Sequence, residues 1–256
     1  MPDLRITEIF LSLQGEANTV GLPTGFVRLT GCPLRCQYCD SEYAFSGGTL
    51  MPLDDIVSQV HDLGVRHVTV TGGEPLAQPN VIELMQRLVD ASYSVSVETS
   101  GALSVERVPV EVVKGLDLKT PDSQESHRNL WSNVAHLNPQ DQIKFVLCSR
   151  TDYDWARMRC DEHGLYERVA DVLFSPSHHQ LPPRDLADWI VADRLPVRMQ
   201  MQMRMQLNAH AECACKCACA CKCKCACKCA CACQMCMQMH MRMPLQLQLP
   251  LQYDVM

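Results

Sequence analysis

Cys32, Cys36 and Cys39 lie in the segment GCPLRCQYCD (residues 31–40), with the spacing C-x3-C-x2-C. Thiolates are the usual ligands of iron–sulfur clusters, and most [4Fe-4S] clusters take four of them. Three thiolates on one short loop leave one iron with an open position, where a substrate or cofactor can bind. Zinc loops favour paired C-x2-C elements with four ligands in all, and no second nearby pair occurs before residue 213. Cysteine is also a common core residue, but core packing imposes no such spacing. The triad therefore reads as a [4Fe-4S] ligand set. A second signal is VTVTGGEP (68–75), a β-rich run ending on Gly72, Gly73 and Glu74. Glycines at a strand end permit close backbone approach to a ligand, and Glu74 can accept hydrogen bonds from an ammonium group. Alone, this run is an ordinary strand exit; after the triad it reads as a cofactor site.

The elements that position these residues follow from periodicity. Short apolar runs predict strands at 6–11, 26–29, 67–71, 94–98, 115–118, 142–147, 171–174 and 196–201. Apolar residues at helical spacing predict helices at 53–63, 80–91, 153–163 and 183–192. Leu53, Ile56, Val57, Val60 and Leu63 give the first helix one apolar face, with Asp54 and Asp55 in its first turn and Gly64 at its end. Strands alternating with helices imply parallel pairing through helical crossovers. A complete eightfold barrel takes about 250 residues. Here the patterned part is residues 1–203, so the expectation is α/β, a partial, open TIM-like β/α barrel.

Residues 204–256 form a second region of different character. Cysteine occupies every odd position across 213–233, with only Ala or Lys between, and Met-Gln and Leu-Gln alternation flanks it. This is low-complexity sequence, expected to be disordered or artefactual. Strict alternation puts every thiol on one side of an extended chain, which a thiolate metal store would need turns to overcome. The total of 17 cysteines is thus mostly a property of this tail and not of a disulfide scaffold. A net charge of −6 argues against a nucleic-acid binder. The start, MPDLR, lacks the pattern of a signal peptide, and no apolar run reaches the ~20 residues of a membrane span. A cytoplasmic location is expected.

Further segments extend the motif set: IF at 9–10, LQGE at 13–16, GLPT at 21–24, FVRLTGCP at 26–33, YCDS at 38–41, TGGEP at 71–75, ETSG at 98–101 and DLKTP at 117–121. KFV at 144–146, FSPS at 174–177 and LPVR at 195–198 follow. The triad with GGEP resembles the radical S-adenosylmethionine (SAM) superfamily. The whole set, over about residues 4–203, resembles the 7-carboxy-7-deazaguanine synthases. The resemblance implies a lyase of queuosine (7-deazapurine) biosynthesis. Such enzymes convert 6-carboxy-5,6,7,8-tetrahydropterin to 7-carboxy-7-deazaguanine with loss of ammonia. It also implies a [4Fe-4S] cluster, SAM cleaved to a 5′-deoxyadenosyl radical that abstracts hydrogen from the pterin, and Mg²⁺.

By position in the motifs, Leu13, Gln14, Gly15, Arg28 and Thr99 match substrate contacts. Tyr38, Asp40, Gly73, Glu74, Gly101, Asp117 and Lys119 match SAM contacts. Ser41 stands where a hydroxyl residue, usually Thr, ligates Mg²⁺. Gln14 offers donor and acceptor to a pterin edge, and Arg28 can pair with a carboxylate. Taken alone, Gln14 is a surface turn, Arg28 a solvated strand charge and Lys119 a surface lysine. His178 and His179 read as polar loop residues, and Cys148 and Cys160 as packing residues. A homodimer and an electron donor such as flavodoxin or ferredoxin are further implications. Residues after about 204 have no counterpart in the resemblance, whose C-terminus closes over the substrate side. Two rivals stay open. Another radical SAM enzyme, such as an activase for a glycyl-radical protein, shares the triad but not LQGE with Arg28. A thiolate-rich metal-binding protein would act through the tail.

Overall fold

Alternate residues of each strand point to opposite faces of a sheet, and here the alternation separates an apolar outer face from a polar inner one. The computed structural model describes residues 2–201. The chain divides into Met1–Leu207 and Asn208–Met256. The architecture below is that of the first unit, and the expected tail, 204–256, lies outside the described residues.

The elements run β1 (Asp3–Leu13), β2 (Pro23–Leu29), β3 (Thr49–Pro52), α1 (Leu53–Asp62), β4 (His67–Gly72), α2 (Val81–Asp90), β5 (Ser94–Thr99) and β6 (Val113–Leu118). They continue with β7 (Gln142–Leu147), α3 (Arg150–His163), α4 (Leu165–Arg168), β8 (Asp171–Pro176), α5 (Pro183–Asp193) and β9 (Arg198–Met199). The strands form one sheet in the order β3-β1-β2-β4-β5-β6-β7-β8-β9. β2 and β4 to β9 pair in parallel, and among the described residues β3 and β9 are unclosed edges. This is the expected open β/α barrel.

Three features differ from the sequence expectation. β1 pairs antiparallel with both β2 and β3, because a short turn at 14–22 joins β1 to β2 and leaves no length for a crossover. β3 was not anticipated: four residues ending in Pro52 carry too little pattern, and a proline is tolerated there because the strand is an edge. The strand expected at 196–201 is pared to Arg198–Met199.

The core lies between sheet and helices. Val27, Val70, Val97, Leu116, Phe145 and Phe174 are fully buried on the outer face, against Ile56, Val60, Leu84, Leu88 and Ala156 of the helices. Ser149 caps α3 by accepting from the Asp152 N–H, and Gly164 ends it in a left-handed conformation. Cys160 is buried in this core and Cys148 at the exit of β7, as packing residues would be. The opposite parity faces the lumen: Glu8 and Phe10 of β1, Arg28 of β2, Thr69 of β4, Ser96 and Glu98 of β5, Asp117 of β6 and Lys144 of β7. The charged residues of the central strands collect on this face, Lys114 excepted: it is buried on the outer side in an ion pair with Asp141 at 2.9 Å.

Candidate active site

The cysteine loop leaves the C-terminal end of β2, beside the exit of β4. Gly31 turns the chain with φ of 103°, in the region that favours glycine. Its carbonyl accepts the Glu74 N–H at 2.8 Å, and its own N–H donates to the Ala44 carbonyl at 2.8 Å. Leu34 is buried in the middle of the loop and anchors it. The Arg35 guanidinium donates to the Cys32 carbonyl at 2.8 Å and covers the Phe45 ring. Cys32, Cys36 and Cys39 are free thiols and half-buried. Burial pushes all three above the ordinary thiol pKa, Cys36 to about 11, so without metal they hold their protons. Ligand binding must displace those protons.

Among the described residues, no group of three His, Cys, Asp or Glu side chains is arranged to hold a single metal ion. A cubane does not demand such convergence, because each thiolate binds a different iron. The donor set, three thiols on one loop, fits a cluster with one iron left open.

Gly73 places the β4 exit against this loop. A Cβ on Gly73 would stand 2.5 Å from the Gly31 oxygen and 2.7 Å from Cys32 Cβ. Neither atom belongs to a flexible side-chain end, so Gly73→Ala must push the cysteine loop away. The expected result is a folded protein that retains less than about a tenth of the cluster after iron and sulfide reconstitution, on the scale of losses at metal-supporting positions. Iron content and visible absorption check it.

Glu74 is completely buried. Its carboxylate accepts from the Leu76 N–H, the Thr99 hydroxyl, and the Ser100 N–H and hydroxyl. It ties the exits of β4 and β5 together, and the Thr99 hydroxyl is thereby engaged within the protein. Gly101 follows with φ of 72°, its carbonyl held by Asn133 Nδ2 at 3.1 Å.

Beneath the cysteine loop, Tyr38 turns inward. Its hydroxyl is buried and has no hydrogen-bond partner among the described residues, which fits a bound polar ligand. Lys119, read alone as a surface lysine, is buried; its ammonium lies 2.8 Å from Asp117 and 6.0 Å from the Tyr38 ring centre. Its backbone exchanges two hydrogen bonds with the Asn129 side chain. Burial pushes the Asp117 carboxyl up, but the Lys119 and Lys144 ammonium groups outweigh it and hold the group below the usual carboxylate range. Ser41 donates to Asp40 at 2.9 Å, so two side-chain oxygens stand together just after Cys39. Mg²⁺ takes few protein ligands and completes its shell with substrate and water oxygens, and this pair fits that habit.

The antiparallel course of β1 carries Leu13, Gln14 and Gly15 to the other end of the barrel, where they help close its floor. The structure therefore does not bring them beside the cysteine loop. Gln14 is buried and not a surface turn: its amide donates to Thr69 at 3.1 Å, and Thr69 pairs with Ser96 at 2.9 Å. Arg28 faces the lumen, with Nε on Glu8 at 2.7 Å and the rings of Phe10 and Tyr43 beside it. Its remaining N–H donors leave it able to bind an anion. His178 and His179 lie on the loop after β8, beyond Ser177, their rings in contact and tilted by 47°.

Sequence reasoning assigned no role to Glu98, Glu16 or Lys144. Lys144 pairs with Glu16 and lies 3.4 Å from Asp117. For Glu98 and Lys144 the signal was present as a charged residue at a lumen position of β5 and β7, flanked by apolar outer-face residues; Glu16 lies in the turn after β1 and carries no such pattern. A cavity of about 180 Å³ lies at the N-terminal end of the strands, lined by Asn18, Thr24, Thr69, Ser96, Glu98 and Gln142.

The family model for the Radical SAM superfamily matches residues 26–117. The 7-carboxy-7-deazaguanine synthase of Koribacter versatilis (strain Ellin345) is 44% identical over 210 residues, covering 77% of this chain and 93% of that protein. The synthase of Chlorobaculum tepidum is 42% identical over 200 residues, covering 77% and 90%. The crystal structure of QueE from Escherichia coli superposes with a TM-score of 0.67 at 22% identity, over 79% of this chain and 95% of that one, which supports the fold. Relatives at this identity, matched over most of both chains, show the family: the chain belongs to the 7-carboxy-7-deazaguanine synthase family of radical SAM enzymes.

Proposed function

We propose that this chain converts 6-carboxy-5,6,7,8-tetrahydropterin to 7-carboxy-7-deazaguanine with loss of ammonia. The observation that carries the proposal is a three-thiol loop at one end of a lumen whose inner face bears Arg28, Glu98, Asp117 and Lys144. When bound, a [4Fe-4S] cluster on Cys32, Cys36 and Cys39 together with SAM supplies the 5′-deoxyadenosyl radical that starts the reaction. The protein supplies binding, orientation and exclusion of water.

Arg28 binds the substrate carboxylate, and its stacking between Phe10 and Tyr43 fixes the plane of the guanidinium. Gln14, held by Thr69, and the Leu13–Gly15 backbone support the pterin from the floor. Thr99, held by Glu74 at the β5 exit, is a further substrate contact at the opposite end of the strands. Tyr38, Asp40, Gly73, Glu74, Gly101, Asp117 and Lys119 surround SAM, and the unpartnered Tyr38 hydroxyl is a hydrogen-bond donor or acceptor for it. Ser41, with Asp40 beside it, holds Mg²⁺. Residues 1–203 are the catalytic domain, and 204–256 are an appendage to it.

The electron comes from a small carrier such as flavodoxin or ferredoxin. The chain acts as a homodimer in the cytoplasm; the exposed apolar Leu11, Leu13, Val20 and Leu22, grouped where β1 turns into β2, favour self-association. No helix among the described residues is long and apolar enough to cross a membrane.

The test is anaerobic reconstitution with iron and sulfide, then assay of 7-carboxy-7-deazaguanine from the carboxypterin with reductant, SAM and Mg²⁺. Product is expected, and Arg28→Ala is expected to raise KM by about 100-fold, the loss of a charged hydrogen-bonded pair. A glycyl-radical activase would cleave SAM in this assay yet leave the pterin untouched.

A further inference from the structure

Apart from the matched pair Glu8–Arg28, three carboxyl groups in the lumen, Glu16, Glu98 and Asp117, face two ammonium groups, Lys119 and Lys144. Lys119 is matched by Asp117, and Lys144 is shared by Glu16 and Asp117. One carboxyl is therefore left over in a confined space, and the cheapest way to relieve like charges there is to keep one of them protonated. Glu98 is that group. It lies over Gly115 of the neighbouring strand, where a Cβ would meet its Oε2 at 2.7 Å. The missing side chain at Gly115 is what gives the carboxyl its place. Burial, with Glu16 and Asp117 adding to it and Lys144 opposing, pushes Glu98 up to about 8. β4 turns only His67 and the uncharged Thr69 and Thr71 to the lumen. Glu98 also lines the floor cavity, whose volume of about 180 Å³ is ample for water.

We propose that Glu98 is the proton donor to the amine that leaves the substrate during ring contraction. This rests on the lyase function above. As the carbon–nitrogen bond breaks, its electron pair goes to nitrogen, the Glu98 O–H proton joins that nitrogen, and ammonia departs. The carboxylate left behind lies near Lys144 and takes a new proton from water in the floor cavity. The proton lost from the ring carbon as the product aromatises balances the one supplied. No oxidant or reductant enters this step. A neutral carboxylic acid kept in a confined site is suited to such donation at neutral pH.

Two measurements on the full-length protein test the proposal. Without cluster or substrate, difference infrared spectra of the wild type should show the carbonyl band of a protonated carboxyl near pH 7, fading as pH passes about 8. Glu98→Gln should lack the band. A wild type without it overturns the proposal, whatever the lyase assay gives.

With the reconstituted enzyme and pterin deuterated at C6, Glu98→Gln should still pass deuterium to the 5′ carbon of the cofactor. Product and ammonia should fall together by about 10²–10⁴-fold. The wild-type rate should decline above about pH 8, and the variant should lose that decline. Gly115→Ala, which moves the carboxyl without removing it, should also keep deuterium transfer and slow product, and it serves if the first variant misfolds. Full product formation, or loss of deuterium transfer in step with product, overturns the proposal. Failure of the wild type to make 7-carboxy-7-deazaguanine would instead count against the lyase function, with the infrared result standing apart.

Discussion

Cys36→Ala is expected to leave a folded chain that binds no stable cluster and forms 5′-deoxyadenosine at background rate, a loss greater than about 100-fold. Changes to groups that merely support a metal ligand cost about 10–100-fold, and a ligand itself is worth more. The choice of Cys36 follows from its place. Among the three thiols, it is the one whose environment includes both Lys119 and Asp117, so its position joins the cluster to the lumen charges. The fold should survive, because the thiol is only half-buried and the loop is held by Leu34 and by the Gly31 backbone bonds. Iron and sulfide analysis, with circular dichroism as the folding control, measures both parts. A variant retaining a full cluster and SAM cleavage would show that the cluster is held elsewhere.

Lys144→Met is expected to lower stability by about 3 kcal/mol at pH 7, the lower end of the cost of stripping a buried charge of its partner. The lower end applies because Glu16 keeps some contact with water, at 21% side-chain exposure. For a domain of this size the loss corresponds to about 6–12 °C in Tm. Burial pulls the Lys144 ammonium down, but Glu16, Asp117 and Glu98 raise it further, and it ends well above the ordinary lysine value. A base with a raised folded-state pKa contributes its stability below the unfolded value, about 10.4, and loses it only above that. Wild-type stability from this pair should thus be flat across neutral pH. The variant should behave differently: its unopposed acids ionise as pH rises, so its deficit should shrink at pH 5 and grow at pH 8. Thermal melts at the two pH values check the sign, and Lys144→Met with Glu16→Gln should recover part of the loss if the two residues are coupled.

Much of the fold was legible because the strand cores carry a strong two-residue alternation and the helices an apolar face. α1 was expected at 53–63 and runs Leu53–Asp62; α2 was expected at 80–91 and runs Val81–Asp90. The direction of β1 was not legible. Alternation gives the faces of a strand and says nothing of its sense, which here follows from the short 14–22 turn. Within the site, the three cysteines and the glycine approach at Gly73 were readable because spacing and residue type leave few other uses for them. Glu98 and Lys144 escaped because their meaning lies in partners on other strands: Glu16 is 128 residues from Lys144. Gln14 and Lys119 looked like solvent-facing residues for the same reason, since nothing local shows that the lumen encloses them.

The contact of Gly73 with Gly31 sets main chain against main chain at the point where the metal loop begins. Side chains further along that loop, such as Pro33 and Gln37, can then drift without carrying the cluster with them. The location of the cluster is inherited from the parallel sheet, whose β2 and β4 strands deliver both glycines to the same spot. Evolutionary freedom in the loop and constancy of the reaction centre are thereby compatible.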